Sequence, residues 1–341
     1  MPHASISLCI GQYSDDSYSG FNHIDFNLET MALTSQHNVS DIENPSYLAR
    51  TDGGWYAISE LSEQDGAALY FLNDKFETIS TQPLKGDHPC HVAISDCHTH
   101  LGVAHYGSGS FEVYTLAPSG EIHQRQALVQ NEGKGHHSVR QLASHGHQIV
   151  FVPQSNQVMT VDLGLDTLNF YRLNAVHFAQ QQSLQLPAGC GPRHAVFRRD
   201  GQIGYILCEL DETLRTIERQ NNGKWQQIRS QPAFPKHSKG EAASAIKLSS
   251  DQRYVYLSGR HQSIISWFDI TTPNSPCYQG FVKTEGRFPR DITLSKDGHW
   301  LVVANQHSDN LVLFTLDKKT GQPTLAKIML TLPKPVCVVF D

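Results

Sequence analysis

The chain of 341 residues is predicted to be all-β: a seven-bladed β-propeller whose ring closes by joining N- and C-terminal strands in one blade. Three observations carry this. A unit made of an apolar run, a polar turn, a second apolar run and a polar loop recurs along the whole chain. The two ends hold complementary fragments of that unit. No segment shows a long amphipathic helical period, and short β-branched and aromatic runs alternate with Asp-Gly and Asn/Ser-rich turns.

The unit is plainest after Pro192, in "HAVFRRDGQIGYILCEL". "FPRDITLSKDGHWLVVANQHSDNLVLFTL" (288–316) and "HPCHVAISDCHTHLGVAHYGSGSFEVYTL" (88–116) repeat its order and add a third, alternating strand. Anchors fall at Pro45, Pro89, His136, Pro192, Ala243, Pro289 and Pro335, with His136 and Ala243 placed by context. The gaps are 44, 47, 56, 51, 46 and 46 residues. Eight residues past the anchor stand the turn residues Asp200, Asp251 and Asp297, with Gly53 in the first copy. Each copy has the length of a four-stranded blade, and seven copies leave no exposed sheet edge when the ring closes. "VCVVFD" after Pro335 is a first strand with nothing following. "SISLCIGQYS…GFNHIDFNL" supplies second and third strands without a first. The gaps run on without a linker, which predicts a single propeller domain over 1–341. The third copy is longer than its siblings, and the extra residues are placed after His137, in "QLASHGHQIVFVPQSNQ".

Composition narrows the function. Hydrophobic residues at 39% and charged residues at 18% describe a chain able to bury a core. A net charge of −6 with no block of Lys and Arg gives no footprint for nucleic acid or anionic lipid. No apolar stretch approaches the ~18 residues of a membrane span, and "MPHASISLCIGQ" lacks a basic and apolar leader. The expectation is a cytoplasmic protein, a monomer or weak homodimer, with neither nucleic acid nor membrane as partner. The seven cysteines contain no CxxC pair, so they are expected to be reduced and mostly buried.

Rotation about one axis puts equivalent residues at equal radius, and two positions of the repeat concentrate charge. The position after the anchor holds Ser46, Cys90, His137, Arg193, Ser244, Arg290 and Val336. The position after the second strand holds Gln12, Glu60, Tyr106, Leu163, Glu209, Arg260 and Gln306. Three arginines, two glutamates and a histidine thus line the expected channel of an acidic protein. Burying them unpaired is costly, so they are paired or face an anionic ligand. Arginine presents a fork suited to carboxylate or phosphate, and His and Glu carry protons near neutral pH. Such a pocket suits water attack on an ester or lactone carbonyl. His137, Arg193 and Glu209 are the catalytic candidates. Arg260, Arg290, His194, Tyr106 and Glu60 are the substrate-binding ones, for a small anionic lactone or sugar phosphate.

Rival chemistries find less support. His98 with His100, and His145 with His147, are spaced to chelate, but both pairs are read as turn residues, and no metal or other cofactor is expected. "GSGS" at 107–110 does not match a nucleophile elbow.

"GPRHAVF", "CELDET", "FPRDITLSKDG", "VVANQHSDNLVLFTLDKKTGQPT" and "HYGSGSFEVY" resemble the lactonase family of seven-bladed propellers from about residue 6 to 340. That family includes propeller-type 6-phosphogluconolactonases and a fungal carboxymuconate lactonizing enzyme. The resemblance implies metal-independent lactone processing in the channel, with 6-phosphogluconolactone hydrolysis, a step of carbohydrate metabolism in the pentose phosphate pathway, as the leading activity. It places the family's His-Ser element on His137-Ser138, its GPRH arginine on Arg193, its glutamate on Glu209 and its later arginines on Arg260 and Arg290. Either Glu209 or His137 serves as general acid/base. Cys208 stands where the family has Asn, and Gly259 where an acidic or amide residue is usual. A cycloisomerase running the lactone-forming direction, or a non-catalytic propeller scaffold, are the alternatives.

Overall fold

In the computed structural model, residues 5–39, 41–174, 177–235 and 240–341 are described. They form seven four-stranded antiparallel sheets, the blades of the predicted propeller. The terminal sheet joins Pro335–Phe340 to Ser5–Gln12, with Leu8 opposite Phe340 and Ile10 opposite Val338, and so closes the ring. The N-terminal segment adds a further strand to that blade, Ala32–Val39, whose residues are nearly all exposed and carry no apolar alternation. Outer strands of the other blades are largely exposed in the same way. "FAQQQSLQ" of Phe178–Gln185 is one example.

Contacts group the chain into two units, Ala49–Gln231 and Met1–Leu48 with Pro232–Asp341. In the first, the inner strands Pro89–Ile94, Gly146–Phe151 and Pro192–Phe197 lie side by side. In the second, Ala243–Leu248, Pro289–Leu294 and Pro335–Phe340 do the same. Second and third strands are buried on both faces, as near-continuous apolar runs such as "YILC" and "LVVA" require. Their side chains fill the space between blades. Met159 and Phe170 pack with Ile206, Ile217 and Trp225 of the next blade, where Phe170 stacks on Trp225 at 5.3 Å. Tyr256 and Trp267 meet Val303 and Phe314 in the same way in the other unit. Each such side chain contributes about 1.5–3 kcal/mol by its removal from water.

Strand pairing corrects the repeat register at two places. Pro89 pairs with His105, Pro192 with Cys208 and Pro289 with Asn305, and the third copy's counterpart is Gly146 opposite Asp162. The anchor is therefore Gly146, not His136, and the residue after it is His147, not His137. The extra length precedes this strand, in the irregular connection 131–145, and not after His137 as the spacing suggested. Composition misled here because "GHHSV" and "SHGHQ" offer the same residue types ten residues apart. Likewise Pro335 pairs with Gln12, which makes Tyr13, not Gln12, the counterpart of Glu209.

The turn into the inner strands has a shared conformation. Asn44, His88, Gly191, Phe288 and Lys334, each just before an anchor proline, have φ of 46, 52, 58, 64 and 41°. The left-handed region costs a non-glycine residue about 1–3 kcal/mol, so packing around these turns must hold them there.

Candidate active site

Three inner strands and one long connection of the Ala49–Gln231 unit assemble the chemistry. Arg193 and His194 are consecutive on Pro192–Phe197, and Glu209 directly follows the paired strand Ile203–Cys208. The Glu209 amide donates to the Gly191 carbonyl at 2.6 Å, which fixes the carboxylate beside the inner strand. The Glu209 side chain is 1% exposed. Its Oε2 forms an ion pair with Arg193, 3.1 Å from Nε, and its Oε1 accepts from Arg140 at 2.7 Å. The second Arg193 neighbour is His194, whose Nδ1 lies 3.3 Å from the Arg193 NH1 group.

Arg140 was not among the sequence candidates. It also donates to the Tyr106 hydroxyl at 3.2 Å. Burial opposes its charge, but the Glu209 carboxylate and the Tyr106 oxygen outweigh that and hold the guanidinium above its ordinary range. Tyr106 stacks on His145 at 4.4 Å and meets the edge of His147 at 5.5 Å. His147 continues to His194 at 5.2 Å, and His194 to His91 at 5.5 Å. A row of aromatic rings thus runs from the ion pair across three blades. His147 lies within the strand Gly146–Phe151 and is buried, not in a turn as its spacing from His145 suggested. Among the described residues, no three His, Cys, Asp or Glu side chains form a group that could hold a metal ion.

The connection 131–145 is held at both ends by "VDLGLD". Asp162 accepts from Ser144 Oγ at 2.5 Å, the His145 amide at 3.0 Å and Asn131 at 2.8 Å. Gln141 donates to Asp166 at 2.8 Å, and its Oε1 receives the amides of His136 and His137 at 3.0 and 2.8 Å. Asp166 in turn accepts from the Gly189 and Gly191 amides, both at 2.7 Å. The loop carrying Arg140 and the strand carrying Arg193 are therefore tied to one carboxylate. His137 serves this scaffold: its Nδ1 accepts from the amides of Val139 and Arg140 at 3.2 and 3.1 Å. Two aspartates four residues apart in a copy with an enlarged loop were the available signal for this clamp.

Gly191 is a point where the site and the fold share a constraint. A Cβ there would stand 2.5 Å from Leu210 Cγ, at a φ of +58°. Gly191→Ala is expected to lower unfolding free energy by about 1–3 kcal/mol in urea titration. Wild-type stability would refute the constraint. Beside it, Cys208 contacts Cys190. A hydrogen bond to Cys208, and burial, push the Cys190 thiol far above its usual range. The cysteines at 9, 90, 190, 208 and 337 are buried and those at 97 and 277 exposed, as the sequence led one to expect.

The remaining candidates divide. Glu60 occupies the corresponding place after Gly54–Ser59, half-buried. Arg260 and Arg290 belong to the other unit. Arg260 lies over the Phe288 ring at 5.1 Å, and Arg290 lies over Tyr13 at 5.3 Å and donates to its hydroxyl at 2.8 Å.

Known proteins share this arrangement of strands along nearly the whole chain. A 6-phosphogluconolactonase of Bacillus subtilis (strain 168) is 30% identical over 339 residues, with 97% of each chain covered. The crystal structure of a putative 6-phosphogluconolactonase from Bacteroides uniformis superposes with a TM-score of 0.90 at 25% identity, covering 99% of this chain and 100% of that one. A periplasmic gluconolactonase of Pseudomonas aeruginosa shares the fold, with a TM-score of 0.87 at 24% identity over 98% of this chain and 99% of that one. The family model described as "Lactonase, 7-bladed beta-propeller" matches residues 7–340, and the chain belongs to that family.

Proposed function

We propose that this protein is a lactone hydrolase acting on an anionic sugar lactone, with 6-phosphogluconolactone the first candidate, by general acid/base catalysis. The observation that carries the reading is Glu209: a buried carboxylate with a guanidinium on each oxygen, in a chain of the lactonase family. The name of the Bacillus subtilis relative supports the choice of substrate.

In this reading, water attacks the lactone carbonyl while Glu209 takes its proton. The charge that develops on the carbonyl oxygen is met by Arg193 or Arg140, cations already fixed in place by Glu209 and Tyr106. The acyl–oxygen bond of the ring then breaks, and the proton held by Glu209 passes to the departing ring oxygen. The product is the open hydroxy acid, with atoms and charge balanced. His137, whose Nδ1 is engaged by two loop amides, is assigned to positioning Arg140 and not to proton transfer.

The test is hydrolysis of freshly generated 6-phosphogluconolactone, followed by coupled oxidation of its product. Wild-type protein at micromolar concentration is expected to accelerate the reaction well beyond the spontaneous rate. A rate equal to the spontaneous one, with folded protein, rejects the assignment.

A further inference from the structure

A cavity of about 250 Å³ opens in the unit Met1–Leu48 with Pro232–Asp341 and takes no part in the chemistry described above. It lies where Ser5–Gln12 begins, where Pro335–Phe340 ends, and where the connection 295–299 joins Pro289–Leu294 to Trp300–Asn305. Arg290 and Tyr13 stand at the opposite ends of these strands, roughly 15 Å or more away at about 3.3 Å per residue. Ile6, Leu28 and Phe340 of the terminal blade pack in one cluster with Trp300 of the blade before it and give the cavity apolar walls. Trp300 is half-buried, while its Nε1 is covered and has no hydrogen-bond partner among the described residues. The part of the indole left accessible is therefore its carbon surface.

Two carboxylates stand at the same cavity, Asp297 and Asp341, with side chains 31% and 30% exposed. Asp297 is fixed by its own turn: it accepts from Ser295 Oγ and from the His299 amide at 3.0 Å, and its second oxygen lies 3.1 Å from His299 Nδ1. Burial works against its charge, but Ser295 and His299 outweigh that and hold its pKa below the ordinary carboxylate value. Asp341 is anchored by its amide on the Ser7 carbonyl at 3.0 Å and lies 3.5 Å from His23 Nε2. Lys296 also lines the cavity, but it is exposed, and its long side chain can carry the ammonium out into water.

We infer that this cavity binds a small primary amine carried on an apolar body. Two fixed carboxylates against one mobile ammonium leave it negative, which selects a cation. The accessible surface of Trp300 attracts cations and apolar groups alike. Ile6, Leu28 and Phe340 favour a ligand with its charge at one end only. The volume falls short of the ~300–1,000 Å³ of pockets that take drug-sized ligands, which limits the size of the body.

The test is calorimetric titration of the full-length protein with phenethylamine and with 3-phenylpropionate, a carboxylate of similar ring and chain length, with tryptophan fluorescence followed in parallel. Expected are a Kd of about 1 mM or tighter for the amine, binding at least about tenfold weaker for the carboxylate, and a saturable change in emission with the amine. Trp55, Trp225 and Trp267 are 1, 2 and 5% exposed, so Trp300 is the reporter, and Trp300→Phe should lose the emission change while the heat of binding persists. Asp297→Asn keeps the oxygen that Ser295 and the His299 amide use. It should weaken the amine about threefold, and Asp297→Asn with Asp341→Asn about tenfold. No saturable heat from the amine, equal affinity for the carboxylate, an emission change that survives in Trp300→Phe, or wild-type affinity in the folded double variant would each overturn the assignment. None of these readouts depends on lactone hydrolysis, so the two readings fail separately.

Discussion

Glu209→Gln is expected to lower kcat/KM for 6-phosphogluconolactone by about 10³, the contribution typical of a positioned general base. The substitution keeps shape and removes charge. It leaves the Arg193 guanidinium, 4% exposed, and that of Arg140, 36% exposed, without their shared anion. Breaking a buried pair costs about 3–5 kcal/mol, and the partial exposure of Arg140 reduces that toward the lower end. A drop in melting temperature should therefore accompany the loss of rate, and circular dichroism must show the sheet intact. Glu209→Asp separates the two effects, because it keeps the charge but shortens the reach by one methylene. A carboxylate that cannot span both guanidiniums should also lose rate, by about tenfold or more, with a smaller stability loss. Wild-type turnover in a folded Glu209→Gln protein would remove Glu209 from the proton path.

Acid sensitivity should centre on Glu112, which has no part in the proposed chemistry. This carboxylate is fully buried, 3.2 Å from His105 Nε2 and 3.0 Å from Arg125, and accepts from the Tyr114 hydroxyl and the Lys85 amide, both at 2.6 Å. Burial alone would raise its pKa, but His105, Tyr114, the Lys85 amide and Arg125 together pull it down from 4.5 to about 2. A group whose folded pKa lies below its unfolded value stabilises the fold fully above the unfolded pKa. That stabilisation fades as pH falls from 4.5 toward 2, and amounts to about 3 kcal/mol. This is a large share of the ~5–15 kcal/mol that separates folded from unfolded protein. Glu112→Gln should be less stable than wild type at pH 7, and the gap should narrow by about 2.5 kcal/mol on descent to pH 2.5, the rest going only below the folded pKa. Urea titrations at several pH values measure the gap directly. A gap independent of pH would show that Glu112 titrates alike in the folded and unfolded chain.

Legibility differed between kinds of residue for physical reasons. Inner and second strands were readable because burial on both faces forces dense apolar runs, as in "GYILC" and "WLVVA". Outer strands such as Phe178–Gln185 were not, since one solvated face and an edge impose little on their composition. Arg193 and Glu209 were found because each sits at a fixed distance from an anchor that survives in the sequence. Arg140 was missed because it reaches Glu209 from an irregular connection, where position in the repeat says nothing about position in space. The misplaced His136 anchor came from the same connection, whose extra length preceded the strand it was thought to follow. Phe288 and His307 form a stack that depends on a left-handed backbone at Phe288, a conformation the residue type disfavours and the sequence alone does not announce.

The pairing of Leu8 with Phe340 also fixes the order in which entropy is lost. It closes a loop of about 330 residues, an ideal-chain cost near 5 kcal/mol that no local contact repays. The Ala49–Gln231 unit is a continuous stretch and can collect its contacts at shorter separations, whereas the other unit must first bring distant ends of the chain together. High contact order of this kind slows folding. The terminal blade is thus a kinetic bottleneck as well as a clasp, and substitutions in Ser5–Gln12 or Pro335–Phe340 act on how fast the ring forms as much as on how firmly it holds.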